Sequence, residues 1–290
     1  MFKTIANAFK VKEVRNKILI TLLLLFIFRI GCWLPIPGID ISVFQTTTAD
    51  NQFLGLLSSI SGGALANGSI LALGVSPYIS ASIIIQLLTV AIPALERLSK
   101  EGGDEGRKKI NFYTRIAALV LSAAQAIGIV VAFKDYLTPS TSLWSGAPTW
   151  VMGTIIVLIL IAGGMFTVWL GERITDLGIG NGMSLLIFVG ILSTAGSALL
   201  TAFQNVATDI NYIWNILIFV VALLLVFALI VFVDLGERRV PVQYAKQIKG
   251  RKMYGGQSTY IPIRVNGSGV MPIIFASALL TFPQLLISIF

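Results

Sequence analysis

The sequence predicts an all-α integral membrane protein, and three observations carry that prediction. Of its 290 residues, 56% are hydrophobic and only 12% charged, with a mean hydropathy of +0.88, far from the composition of a soluble domain. Seven apolar stretches each have the roughly 20 residues needed to cross about 30 Å of hydrocarbon at a rise of about 1.5 Å per residue. Lysine and arginine fall almost entirely on one side of those stretches, as in a protein oriented by its cytoplasmic charge. The chain has one cysteine, Cys32, and no histidine. That excludes an internal disulfide, histidine-based metal sites and Ser/His/Asp triads, so neither a metal cofactor nor triad chemistry is expected.

In chain order the apolar runs predict spans at 18–34, 74–94, 116–133, 151–170, 183–203, 213–233 and 269–290. The first follows Lys3, Lys10, Lys12, Arg15 and Lys17, as a secretory signal would. It is longer than a signal core and no small-residue cleavage site follows, so it reads as an anchor. Of the 21 Lys and Arg residues, 19 lie in the amino terminus and in the segments after the second, fourth and sixth spans. The opposite loops hold Lys134 beside Asp40, Asp50, Asp135 and Asp209, and Arg29 lies within the first span. The amino terminus is therefore cytoplasmic, and the net charge of +8 is a topology signal before it is a nucleic-acid footprint.

Residues 53–66, FLGLLSSISGGALA, are apolar yet too short to span, and lead into the second span. A re-entrant helix filling the mouth of a funnel and a segment lying at the interface are both open readings. The second span opens with GVSPYISAS at 74–82 and the seventh with GVMPIIFAS at 269–277, six of nine positions coinciding. The copies lie five spans apart, so they run in opposite directions, as in inverted repeats with a path at their interface. The competing explanation is chance, because Gly, Pro, Ala and Ser are common in membrane helices. A five-span unit predicts ten spans, whereas apolar sequence is still running at Phe290. Three more spans are expected from a longer chain or from another one.

Pro77, Pro93 and Pro272 each remove a helix hydrogen bond, and either kink a packed helix or mark backbone that faces a wet cavity. Arg29 is the one charge well inside a span and reads as a snorkelling or packing residue. With no other ionisable group near a midplane, a proton-driven mechanism is disfavoured. Val75, Ile79 and Ile83 share a face of the second span, and Ile274 is the repeat partner of Ile79. Such a stripe is either ordinary packing or an apolar constriction that closes by dewetting. Gln86, Gln125 and Ser277 are polar spots suited to bonds between helices. Ser122, Ala126, Gly163 and Gly164 suit close packing. The GIGNG run at 178–182 lacks the third glycine of a dinucleotide loop and reads as a tight turn. The basic loop at 234–264, with Tyr244, Tyr254 and Tyr260 interleaved, is either a solvated positive-inside loop or a docking surface.

Taken together the residues resemble the SecY family, the central subunits of protein-conducting channels. The resemblance rests on LPIPGID at 34–40, SGGAL at 61–65, SILALGVSPYISASIIIQLLTV at 69–90, EGGDEGRKKI at 101–110, WLGERITDLGIGNGMSLLIF at 169–188 and QSTYIPIRVNGSGVMPIIFAS at 257–277. It implies an hourglass of ten helices in two inverted halves of five. The first half is expected at 1–205, and 206–290 begins the second. An apolar pore ring falls on Val75, Ile79, Met183, Ile187 and Ile274, Met183 standing where the family usually has isoleucine. A short plug at about 54–66 contains Leu54, Leu57, Ile60, Gly62, Gly63 and Leu65. The lateral gate, between the second and third helices and the seventh, has Gln86, Gln125 and Ser277 near its seam.

The same resemblance implies docking of the ribosome and the SecA motor on Arg107, Lys108, Lys109, Arg238, Arg239, Lys246, Lys249, Arg251 and Lys252. SecE and SecG are the implied membrane partners. Unfolded preproteins and signal peptides are the implied substrates, and lipid receives hydrophobic segments sideways. The location implied is the bacterial inner membrane. No P-loop is present, so energy comes from a partner. Two rivals stay open: a small-molecule secondary transporter built on inverted repeats, and a fragment whose spans insert without forming a pore.

Overall fold

The computed structural model describes residues 11–37, 41, 45–46, 55, 58–59, 61–132, 148–208, 212–242, 247–249, 252–254 and 259–267. The expected span at 269–290, and with it the second copy of the repeat, lies outside them. The described residues up to Ala198 form one compact unit and those from Leu199 onward another.

In the first unit, α1 (Lys12–Gly31) ends where the Leu34-Pro35-Ile36-Pro37 sequence forbids further helix. The chain at 34–36 then pairs with 68–70: the Ile36 amide donates to the Gly68 carbonyl at 2.9 Å and the Ile70 amide to the Leu34 carbonyl at 3.0 Å. Two stretches of non-helical backbone thus satisfy each other, which is a condition for irregular chain at membrane depth.

Helix α2 (Ser76–Ala91) and the short α3 (Pro93–Lys100) meet at a bend of 102°. The sequence predicts one apolar span over 74–94, but both prolines open helices instead of kinking one. Pro77 stands in the first turn of α2 and Pro93 in the first turn of α3, where the missing N–H has no helical acceptor to lose. At about 1.5 Å per residue, α2 is about 24 Å long, and the irregular, mostly buried residues 61–75 precede it.

Helices α4 (Gly103–Ala132) and α5 (Thr149–Leu177) both extend beyond their apolar cores, and α6 (Gly182–Thr208) follows a four-residue turn. Small residues let these elements close. Ala118, Ser122 and Ala126 form a buried stripe on α4. Gly164 of α5 faces Ser122 and Leu73, and a Cβ at Gly163 would collide with the Ile70 carbonyl oxygen. The glycine pair therefore packs against the irregular segment as well as against a helix. One core cluster joins Ile36, Leu65, Ala72, Leu73, Ala126, Met152, Ile156 and Leu160. Arg115 on α4 donates to Glu172 on α5 at 2.7 Å.

In the second unit, α7 (Tyr212–Asp234) is uniformly apolar from Ile216 to Val233, and none of its residues is buried by protein. Water would not tolerate that surface; lipid does. The basic segment after it pairs as antiparallel hairpins, β1 (Glu237–Val242) with β4 (Thr259–Arg264) and β2 (Gln247–Lys249) with β3 (Lys252–Tyr254). The sequence predicts only a loop there. Among the described residues, α4, α5, α6 and α7 are each long and apolar enough to cross a membrane, and the bent α2–α3 pair adds a fifth candidate. Helix α1 carries at least three charged residues in any 18-residue window, which keeps it out of that group.

Candidate functional site

Four of the five expected ring positions meet in one apolar cluster. Val75, at the mouth of α2, is 5% exposed and packs with Leu24, Phe28, Cys32, Ala64, Leu71, Leu170, Ile174 and Leu186, while half-buried Ile79, Met183 and Ile187 pack against that group. The helix period explains the selection: Val75 and Ile79 lie four apart on α2, as do Met183 and Ile187 on α6. Met183 is seated against Gly171 of α5, whose missing side chain leaves room for the Met183 sulfur. A cluster of this kind carries no charge, and its one polar side chain, the Cys32 thiol, is turned to the Ser61 carbonyl, so it offers an ion nothing in place of water while packed. Leu71 and Leu186, fully buried within it, were not singled out by spacing, because one lies in irregular chain and the other on a helix with apolar residues on all sides. Ile274 lies outside the described residues.

The turn before α6 holds the ring residues on that helix in register. Gly180 has φ +75°, and the Asn181 Oδ1 accepts from the amides of Met183 at 3.1 Å and Ser184 at 3.4 Å, capping α6. The Ile179 amide donates to Thr21 Oγ1 on α1 at 3.2 Å, and the Gly182 amide to Thr175 Oγ1 on α5 at 2.9 Å. GIGNG is thus a tight turn, tied to two helices.

The segment expected as a plug is buried at Ser58, Ser61, Gly62, Ala64 and Leu65, and half-buried at Gly63. The segment is packed into the protein. Ser58 and Ser61 staple the turn: the Gly63 amide donates to the Ser58 carbonyl at 2.7 Å, the Ala66 amide to Ser58 Oγ at 3.3 Å and Ser61 Oγ to the Ser58 carbonyl at 3.0 Å. Arg29 packs against this segment. Its Nη1 donates to the Gly62 carbonyl at 2.8 Å. The signal for that contact was present in the sequence, since an arginine inside a span needs a partner, but its address 33 residues away was not. Leu54, Leu57 and Ile60 lie outside the described residues.

The expected gate residues are less gathered. Gln86 is exposed on α2 and Gln125 half-buried on α4, and among the described residues no hydrogen bond joins them; Ser277 lies outside that set. Of the expected docking residues, Arg107, Lys108 and Lys109 are exposed in the first turns of α4, which the sequence reading left as loop. Nearby, the Glu96 carboxylate holds the Lys100 ammonium above its ordinary pKa through a 2.7 Å hydrogen bond. Arg238 and Arg239 are exposed on β1, and the Arg239 guanidinium lies 4.7 Å from the centre of the Tyr260 ring across the hairpin. Lys249 and Lys252 end β2 and start β3, opposite one another. Lys246 and Arg251 lie outside the described residues.

Comparison with known proteins agrees with this architecture. The SecY family model matches residues 69–290. The chain is 44% identical to the protein translocase subunit SecY of Streptomyces scabiei over 99% of its own length and 67% of the relative's. It is 42% identical to that of Thermus thermophilus over 98% and 65%, and 43% identical to that of Aquifex aeolicus over 97% and 66%. It thus spans about two thirds of the length of these relatives. Among solved structures, "The structure of a protein conducting channel" matches with a TM-score of 0.61 at 21% identity, over 93% of this chain and 57% of that one. A second describes "The plug domain of the SecY protein stablizes the closed state of the translocation channel and maintains a membrane seal" (TM-score 0.62, 21% identity, 97% and 61%). The fold is that of the protein-conducting channels, a multi-pass helical membrane architecture, and on the match of its sequence the chain belongs to the SecY family.

Proposed function

We propose that this chain is the central pore-forming subunit of a protein-conducting channel in the bacterial inner membrane, with its amino terminus in the cytoplasm. In this reading it passes unfolded preproteins across the membrane and releases hydrophobic segments sideways into lipid. The observation that supports it best is the single apolar cluster in which Val75, Ile79, Met183 and Ile187 meet beside the buried segment at 61–75. An apolar ring yields to a hydrophobic or polar chain alike, because dispersion contacts are non-directional, yet in its packed state it offers an ion nothing to replace its water. Residues 54–66 fill the path at rest, and the seam between α2 and α4 on one side and the seventh span on the other is the lateral exit, with Gln86, Gln125 and Ser277 near it. SecE and SecG are the membrane partners. SecA and the ribosome dock on the basic cytoplasmic surfaces at 107–109 and 238–252 and supply the energy.

The test is transport by the complete complex in proteoliposomes. Preprotein reaching a protease-protected state only with SecA and ATP is the expected result. Ion-coupled solute uptake without preprotein transport would favour the secondary transporter, and neither activity would favour a fragment that inserts without a pore.

A further inference from the structure

The charge in α1 has an unusual partner. Arg29 lies two residues from the end of a helix whose preceding 11 residues, Ile18–Phe28, contain no charge. Among the described residues it forms no ion pair. Its Nη1 instead donates to a neutral backbone carbonyl, that of Gly62, at 2.8 Å. Gly62 has φ +72°, and a Cβ there would stand 2.8 Å from Arg29 Nη1 and 2.9 Å from Gly190 Cα on α6. The chain at 62 is therefore held between α1 and α6 with no room for a side chain. Two neighbouring carbonyls are gripped in the same way from the same two sides. The Cys32 thiol, just past α1, donates to the Ser61 carbonyl at 3.8 Å, and the Thr194 hydroxyl on α6 is shared between the Gly190 carbonyl of its own helix at 3.2 Å and the Ser59 carbonyl at 3.4 Å.

We propose that Arg29 is the latch that seats the re-entrant segment, and that the closed channel is held by this charge-assisted bond more than by the two weaker ones beside it. Such bonds are roughly twice as strong as neutral ones, and here the donor also has a reason to stay. A guanidinium in an apolar span that loses its carbonyl partner must find water or another acceptor. Withdrawal of the segment supplies that water by opening the path, so the latch is costly to release into a closed pore and easy to hold open in a hydrated one. This makes opening switch-like. The inference rests on the reading of residues 54–66 as the plug.

The test separates the latch from that reading by measuring seating and leak independently, in the complete complex reconstituted in bilayers. Seating is read from disulfide formation between cysteines placed by Ser59→Cys and Thr194→Cys, with Cys32→Ser to remove the native thiol. Leak is read as the frequency of spontaneous ion-conducting events. Arg29→Met should lower the cross-linking yield and raise the event frequency about tenfold, the loss expected for one charge-assisted bond, with Arg29→Lys between it and the parent. If Arg29→Met complexes do not accumulate, Gly62→Ala attacks the same contact from the other side and should act alike. Unchanged cross-linking overturns the latch, whatever the leak does. Reduced cross-linking with unchanged leak shows that Arg29 seats a segment that does not seal the pore, and overturns the plug reading with the switch built on it.

Discussion

At the scale of single residues, the side chains that matter are those whose neighbours leave no alternative. Val75 and Ile79 are neither large nor unusual, but they sit where α1, α5, α6 and the irregular chain converge, so shortening them opens a void in that cluster. Replacing Ile79 and Ile274 with serine in the complete complex should raise ion leakage several-fold in planar bilayers while leaving assembly intact. Asn181 offers a second test. It caps α6 through two amides, so Asn181→Ala should cost about 1 kcal/mol of stability and lower the thermal midpoint of the detergent-solubilised complex. The ring residues Met183 and Ile187 begin one residue inside that cap, so the same substitution should raise basal leak slightly.

At the scale of elements, the informative one is the stretch without regular secondary structure. Residues 61–75 run mostly buried between helices, the carbonyls of Ser61 and Gly62 met by the side chains of Cys32 and Arg29 and the backbone at 68–70 paired with 34–36. Glycine makes this possible, since only a residue without a Cβ admits the Ile70 carbonyl at the surface of α5. Gly163→Val should therefore destabilise the fold by about 1–3 kcal/mol through overpacking, read as a drop in thermal midpoint and in the fraction of complex that survives extraction. Gly153→Val is the control, since a Cβ there meets a single side-chain atom, Val130 Cγ1, at 3.3 Å.

At the scale of the whole molecule, charge is segregated and so is structure. Many of the basic residues lie on ordered elements, the first turns of α4 in one unit and the β1–β4 hairpin in the other. Ordering a cation on a strand, with Arg239 against the Tyr260 ring, lowers the entropy lost when a partner docks. Arg238→Glu with Arg239→Glu should weaken SecA-dependent transport and its salt sensitivity together, without changing membrane insertion; equal loss of insertion would point to a topological role alone. The exposure of nearly every apolar side chain on α7, Ile216 being half-buried, belongs to this scale too, because lipid can solvate such a surface and water cannot.

Much of this was legible in the sequence because the bilayer is a strong constraint. The apolar run at 213–233 coincides with α7 to within a residue at each end, and the tight turn at 178–182 is where glycine and asparagine put it. Spacing alone also brought Val75 and Ile79 to one face. Hydropathy was blind to the difference between a helix and buried irregular chain, which have the same apolar content, so 74–94 read as one span although its helix ends at Ala91 and turns through 102°. The hairpins in the basic loop were missed for the opposite reason: six-residue strands of Arg, Val, Pro and Ile carry little periodic signal. What the chain determined by itself was which segments leave water, because transfer free energy is a sum over local composition. Which carbonyl receives Arg29, and that Leu71 and Leu186 join the ring residues, depended on contacts between segments remote along the chain, and only packing in three dimensions decided them.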